Sequence, residues 1–499
     1  MAADITIELA LHPDDVRAAG RLLSAGARVP RARIPRPAGL AILWHDTASG
    51  DFAARGLAIA EIRRGGATEW RLSRLVPEPR TAAPAGVPET VLATAATVAT
   101  LGVGEEAPLL PVATFMGDQR RVTAAVDAQL ITGELRGAAH AERECRLTLS
   151  GPGETVLAAA LELAGALRAQ VARQSLAVRG REVAAHLVPP RPVDMPELDE
   201  DCTVGDAFAL VCARLGNAIQ HHASMSGQGT EPVHQMRVAL RRLRSAIALF
   251  RRAADSPALR ETDLALRDLG RVLGPARDWD VFVTGTGRHV AGAFPADPAV
   301  QRLVAAAARR RRARNAALHA YYIQDADYRR LGIRLACLVA IRPWEEPSGE
   351  AASDPDGDAE RRLKTRGLSL KSFAAHALRR RLARLLAPGA DIAGLPEDAL
   401  HAIRLQAKRM RYSAEIFALL FPRRATVRFI RRLATLQERL GQLNDAAVAA
   451  ALMAELGKTG GRGFAAGVVC GYVAAGAAGA RARIERSWHR LQKTAPFWE

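Results

Sequence analysis

One eleven-residue pattern occurs twice in this chain, 167 residues apart, and it constrains the fold more than any other feature. His234-Gln-Met-Arg237-Val-Ala-Leu-Arg241-Arg242-Leu-Arg244 aligns with His401-Ala-Ile-Arg404-Leu-Gln-Ala-Lys408-Arg409-Met-Arg411. At the same offset Leu273-Gly274 matches Leu440-Gly441, Asp278 matches Asp445 and Val281 matches Val448. Two motifs in one register, without a gap, mark a duplication.

Helix geometry decides what the pattern can do. At 100° per residue, His234, Arg237, Arg241 and Arg244 fall within an arc of about 80°, a stripe roughly 15 Å long. His401, Arg404, Lys408 and Arg411 form a second stripe, while Val238, Leu243, Ile403, Leu405 and Met410 are left to face a core. Like charges one turn apart disfavour a helix. The nearby acids are only Glu231 and Glu415, so the stripes need an anion from elsewhere. Ordinary charge runs are solvated faces, but a solvated face needs no recurring histidine. Asp278 and Asp445 suit orienting an arginine or capping a helix.

Charge divides the chain. Residues 1–200 hold 22 Lys+Arg against 24 Asp+Glu, whereas residues 201–499 hold 48 against 28, a net of +20. Nearly all the base is arginine, with five lysines in the chain. Such a split predicts two modules, the second with a polyanionic partner. Leu187–Glu200 carries four prolines and ends acidic, so it reads as the linker. The expected organisation is an N-terminal domain over 1–186, a linker over 187–200, and helical repeats over 201–342 and 361–499. Between the repeats, 343–360 holds seven acids and no base, and is expected to be a mobile loop.

Helical periodicity runs over Val204–Gln220, Val233–Ala254, Leu259–Leu273 and Ala299–Tyr322. It resumes over Leu370–Leu386, Ala399–Leu419, Val427–Leu440, Ala446–Leu456 and Gly463–Gln492. The N-terminal module has an α+β pattern. Strands are expected at Ile5–Leu11, Gly56–Arg63, Glu69–Leu75, Arg121–Asp127 and Arg143–Leu149, and a helix at Val156–Arg173, with a turn at Gly65-Gly66. The opening MAADITIELALHPDD lacks the basic start of a signal peptide. The apolar run Phe464–Ala480 is shorter than the ~20 residues of a membrane span and reads as a packed helix. Five cysteines without CxxC spacing predict reduced thiols, no zinc site and a cytoplasmic chain.

The paired helices, with LGxxRDxD at 273–280 and LGxLNDA at 440–446, resemble the CHAD domain. The likeness covers about 200–499, including the Gly/Ala-rich helix and the terminal Pro-Phe-Trp at 496–498. It implies an all-α domain of two pseudo-symmetric four-helix bundles with a central basic groove that binds inorganic polyphosphate. The implied ligand residues are His234, Arg237, Arg241, Arg242, Arg244, His401, Arg404, Lys408, Arg409 and Arg411. Arg309–Arg312 and Arg379–Arg381 are lower-ranked candidates.

The N-terminal residues are similar to CYTH, an antiparallel β-tunnel that processes triphosphates. Trp44-His-Asp46-Thr47, Arg55-Gly56-Leu57-Ala58, Val126-Asp127, Glu142-x-Glu144 and Val178-Arg179-Gly180 carry that likeness. The family's opening Glu-x-Glu-x-Lys strand reads Thr6, Glu8 and Ala10 here. Its Leu-Arg-x-Arg strand reads Ala60-Glu61-Ile62-Arg63, which puts Glu61 in the phosphate ring. Its Thr-x-Lys lysine has no match at Arg74 or Leu75.

Tunnel triphosphatases need carboxylates for a divalent metal and a ring of bases for phosphates. The expectation is a divergent, non-hydrolysing domain without metal or other cofactor, with Glu8, Asp127, Glu142 and Glu144 as remnants. The function read from the sequence is polyphosphate binding in the cytoplasm, on polyphosphate granules and away from membranes. The two alternatives are a metal-dependent triphosphatase and a nucleic-acid binder. The second lacks aromatics interleaved with its bases, apart from Tyr412.

Overall fold

Alternation along Asp4–Leu11 (β1) puts Ile5, Ile7, Leu9 and Leu11 on one buried face and Thr6, Glu8 and Ala10 on the other. β1 is one strand of a nine-stranded antiparallel sheet. The others are β2 (Ala38–Asp46), β3 (Leu57–Arg64), β4 (Ala67–Arg74), β5 (Thr90–Thr94), β6 (Leu110–Thr123), β7 (Asp127–Gly137), β8 (Ala141–Pro152) and β9 (Ala169–Val171). Their order is β5-β4-β3-β2-β6-β7-β8-β1-β9, and among the described residues no ladder joins β5 to β9. The computed structural model describes residues 4–25, 37–76, 82–88, 90–94, 108–186, 194–226, 229, 231–345, 358–392, 394–457, 463–477 and 479–499. Most of the acidic loop and the first half of the linker lie outside the described residues.

The β3–β4 hairpin turns at Gly65 and Gly66, with φ of 51° and 90°, the positive pair a tight two-residue turn requires. Among the described residues four α-helices accompany the sheet: α1 (Val16–Ala25), α2 (Asp51–Ala54), α3 (Gly153–Ala166) and α4 (Leu176–Val183). α3 packs on the face of Ile7, Leu9 and Leu147. α4 packs on the opposite face, against Trp44, Phe115 and Leu135. Two sequence expectations change here. Arg121–Asp127 is not one strand but the end of β6, a turn at 124–126 and the first residue of β7, and the helix expected to Arg173 ends at Ala166, before β9, which pairs with β1.

The remaining chain is helical: α5 (Val204–Ser224), α6 (Glu231–Phe250), α7 (Pro257–Thr284), α8 (Thr286–Ala293), α9 (Pro298–Gln324), α10 (Ala326–Ile341), α11 (Asp358–Arg366), α12 (Leu370–Leu386), α13 (Glu397–Ile416), α14 (Arg423–Leu456), α15 (Phe464–Ala477) and α16 (Ala480–Gln492). Periodicity missed α10, whose N-cap is Asp325. Both long helices run through the breaks expected after Leu273 and Leu440. α7 carries Pro275 in its interior, on the exposed side of the helix, while packing of the other side offsets the lost backbone bond.

α5, α6, α7 and α10 make one bundle; α12, α13, α14 and α16 make the other. One continuous core joins them, with Phe250 stacked among Phe208, Phe373 and Phe417. Leu198, from the second half of the expected linker, is already buried in that core. The terminal Phe497 and Trp498 pack on Phe429. The far ends of α7 and α14 form a smaller core with α8, α9 and α15. By length and composition alone, Phe464–Gln492 is apolar enough to cross a membrane. Gly479, with φ of 68°, separates its halves, and the second half buries Ile484, Trp488 and Leu491 in the bundle.

Sheet and bundles share a core as well. Ile333, Ala336 and Cys337 of α10 pack among Ile7, Leu9, Leu147 and Ala160. Asn217 of α5 accepts from Ala85 N at 2.7 Å and donates to Ala83 O at 3.0 Å, while Gly86 O receives Glu8 N of β1.

Candidate functional site

The duplicated motif forms α6 and α13, which cross at the junction of the two bundles. Met236, Leu243, Ile403 and Met410 point into the core and fix the rotation of each helix, so the basic faces are turned towards one another. Lys408 has Arg404, Arg241, Arg237 and Arg411 as its electrostatic neighbours, and Arg404 has Arg241. Exchanging each residue for its partner at the 167 offset maps the pair Arg237–Lys408 onto Arg404–Arg241. The arrangement is therefore a pseudo-two-fold axis through the basic centre. Each copy also keeps its own acid: Asp278 acts on Arg237, and Asp445 on Arg404.

Beside this axis opens a cavity of 730 Å³ between α6, α7, α12 and α13. Among the described residues, eleven bases and a single acid, Asp263, line it. Asp263 answers Arg244, whose Nε lies 2.8 Å from Oδ1. Arg271 pairs with Asp268 at 2.7 Å, outside the lining, and the half-buried bases among the rest respond in their titrations. Burial and the surrounding cations push the Lys408 amine down to about 8. Burial and Arg409, Arg384 and Arg380 bring Arg381 down to about 10. Desolvation also lowers Arg237, Arg404 and Arg380. Crowded, desolvated cations are an unfavourable arrangement until an anion enters.

The sequence-named residues divide. Arg237, Arg241, Arg244, Lys408 and Arg409 line the cavity, and Arg404 stands next to Arg241 and Lys408. Arg242 and Arg411 turn away and share Glu415, at 3.0 and 3.3 Å, an ion pair that ties α6 to α13. His401 is exposed outside the cavity lining. His234 stands near Arg277, and desolvation together with Arg277, Arg241 and Arg237 lowers its pKa despite Glu231. Any gain in charge on that ring therefore comes at lower pH than an ordinary histidine would give.

Arg309–Arg312 are partly consumed elsewhere: Arg311 bonds Asp280 at 2.8 Å and Arg310 pairs with Glu455 at 3.3 Å. Arg380 and Arg381, by contrast, line the cavity. So do Arg252, Arg267, Arg271 and Arg384, which the repeat could not reveal because they have no basic counterpart at its offset. Arg252 lies just past the end of α6, eight residues beyond Arg244. Leu405, expected in the core, is 40% exposed and forms part of the cavity wall.

The N-terminal sheet shows a different use of charge. Glu8, Glu142 and Glu144 share the face covered by α4, together with Arg146. Arg146 donates Nε to Glu144 Oε2 at 2.9 Å and lies 3.4 Å from Glu8 Oε1. Arg179 of α4 donates to Glu142 at 2.6 Å and to Glu144 at 3.3 Å, and also pairs with Glu182. The carboxylates that a divalent metal would need are thus occupied by two guanidinium groups. They do not fit a metal, and among the described residues no group of three His, Cys, Asp or Glu could hold one.

Asp127 stands apart at the start of β7, opposite Ser150. Strand register moves Glu61 as well. Following the paired residues from Glu8 through Thr148, Gln129, Arg121 and the β6–β2 ladder leads to Ala60 and Ile62, not Glu61. Glu61 therefore points from the opposite face, where it meets Arg63 at 2.6 Å and His45 at 3.5 Å. Asp46 is structural: it is fully buried, accepts from Thr47, Phe52 and Ala53 N, and pairs with buried Arg181 at 3.1 Å.

Comparison with known proteins agrees with the helical assignment. Residues 210–454 match the family model of the CHAD domain. The crystal structure of the CHAD domain from the plant Ricinus communis is similar at 28% identity, covering 61% of this chain and 97% of that one, with a TM-score of 0.48. PptA from Streptomyces chartreusis is similar at 16% identity, covering 59% and 99%, with a TM-score of 0.40. The adenylyl cyclase candidate HpAC1 from Hippeastrum, for which a dominant triphosphatase activity is described, is similar at 17% identity, covering 38% and 98%, with a TM-score of 0.27. No curated protein matches the chain.

Proposed function

We propose that this chain, whose residues 210–454 are a CHAD domain, holds inorganic polyphosphate in the cavity between α6, α7, α12 and α13 and does not hydrolyse it. The observation that carries this reading is a cavity lined by eleven bases and one acid among the described residues. Arginine forks bind phosphate oxygens bidentately, and Lys408 adds a point charge at the centre. A slim chain of phosphates suits a 730 Å³ cavity better than a nucleic-acid duplex, whose major groove alone is about 12 Å wide. Tyr412 is the aromatic side chain of the lining and it is buried, which offers little for stacking bases. Of the ten residues named from the sequence, Arg237, Arg241, Arg244, Arg404, Lys408 and Arg409 are ligand residues in this reading, joined by Arg252, Arg267, Arg271, Arg380, Arg381 and Arg384. The protein acts in the cytoplasm, on polyphosphate granules.

Calorimetry with long-chain polyphosphate at two salt concentrations tests this. The wild type binds, and its affinity falls with salt as counterions are released. Arg237→Glu/Arg404→Glu abolishes binding. Binding indifferent to those two reversals, or displaced as readily by DNA as by polyphosphate, would reject the reading. Phosphate release from tripolyphosphate with Mg²⁺ or Mn²⁺ tests the absence of hydrolysis. Turnover on the order of 1 s⁻¹, common for enzymes, would show the sheet to be active.

A further inference from the structure

A second cavity lies between the sheet and the helical bundles, away from the basic cleft. Its volume is 420 Å³, within the range of small-molecule sites. β1 and β9 supply one wall, through Ala10, Leu11 and Gln170. α5, α9 and α10 supply the other, through Gln220, Ser224, His319, Tyr322, Tyr328 and Arg329.

Its lining holds Arg168, Arg173, Arg329, His12 and His319, and no aspartate or glutamate among the described residues. Asp14 and Asp15 answer Arg168 at 3.3 and 2.9 Å. The other two arginines meet no carboxylate within ion-pair distance among the described residues. Arg173 donates to the hydroxyl of Ser224. Arg329 is buried and bonds two carbonyls, Ala164 O at 3.0 Å and Gln324 O at 2.8 Å, at the ends of α3 and α9. Arg173 is exposed to the cavity and Ser224 takes only one of its donors, so its charge is left for an anion with several acceptor oxygens. Tyr322 and Tyr328 line the same space with aromatic carbon, which a purely ionic site would not need.

We propose that this interdomain cavity binds a small phosphate-bearing anion, held by Arg173, Arg329 and His319. Because its walls come from both domains, the bound anion clamps the sheet onto the bundles. The site is independent of the polyphosphate cleft and stands or falls separately from it.

The test uses the full chain carrying Arg237→Glu/Arg404→Glu, so that the cleft is silent. Pyrophosphate and ADP are titrated by calorimetry, with thermal unfolding as a second readout. Binding of at least one probe, with a rise in melting temperature, is expected. Tighter binding of ADP would identify a nucleotide, and tighter binding of pyrophosphate an inorganic ligand. Arg173→Ala weakens the interaction about tenfold or more, the worth of one charge-assisted hydrogen bond. Gln170→Glu and His319→Glu change exposed side chains at the rim and keep the fold intact, yet add a repelling carboxylate and weaken binding in the same direction. The proposal is overturned if neither probe binds below about 1 mM, or if binding survives all three substitutions unchanged.

Discussion

The basic cleft and the α4-covered face of the sheet are both dense in charge, yet they treat it in opposite ways. In the sheet, Glu8, Glu142, Glu144 and Glu182 are answered by Arg146 and Arg179, so the chain supplies its own counter-ions. In the cleft, Asp263 is the acid set against eleven bases in the described lining. Charge paired within the chain marks a finished structural network. Uncompensated, desolvated charge marks a place where a partner is missing. The contrast teaches that charge density alone does not identify a site. What identifies it is how much of that charge the protein leaves unanswered.

The strongest way to break this comparison is to reverse charges that the repeat does not contain. Arg381→Glu/Arg384→Glu alters α12, outside both motif copies, but inside the cavity lining. If the cavity rather than the stripe is the site, polyphosphate affinity falls roughly a hundredfold, the worth of two charge-assisted contacts. Calorimetry at fixed salt reads it. An unchanged affinity would confine the ligand to the axis between α6 and α13.

The second test unsettles the neutral network. Arg179→Ala leaves Glu142, Glu144 and Glu182 facing each other without their shared cation. Loss of stability of about 2 kcal/mol is expected, below the range for a fully buried pair because these side chains are partly exposed. Denaturant unfolding measures it. Added Mn²⁺ should recover part of that loss in the variant and leave the wild type unmoved, since only the variant has carboxylates to spare. A wild type stabilised as much as the variant would mean the arginines yield to metal, and the contrast between the two regions would fail.

Much of this was legible before any coordinates. The duplication is readable because both copies keep basic residues at helical spacing, and three-dimensional packing obeys the same period. The helices of the bundles followed for the same reason, except α10. Three features were hidden. Arg267 and Arg271 on α7 and Arg384 on α12 have no basic counterparts at the repeat offset, so only their packing against α6 and α13 reveals them. The fate of Arg242 and Arg411 depends on Glu415, whose contact with Arg242 is a matter of helix crossing, not of sequence distance. Glu61 was misplaced because a strand's side chains alternate faces, and a motif aligned one residue off reverses every side chain's direction. Breaks expected at Leu273 and Leu440 failed because tertiary packing outweighs local propensity in long helices.

The smallest effect expected concerns protons, and its sign follows from Lys408. The free amine titrates at about 8, held down by desolvation and by Arg404, Arg241, Arg237 and Arg411. A polyanion in the cleft favours the charged form, so the bound amine titrates higher. Below pH 8 the lysine is charged in both states, and affinity is at its full value. As pH rises through about 8 the free protein loses that proton, and binding must take it up again, so affinity declines until the bound value is passed. Over one to two pH units the decline should be severalfold, small beside a charge reversal. Calorimetry at pH 8.5 in two buffers of different ionisation enthalpy should show net proton uptake. Lys408→Arg should remove the uptake while retaining most of the affinity, because the guanidinium stays charged throughout. Equal uptake in that variant would assign the proton to another group and leave Lys408 outside the phosphate's reach.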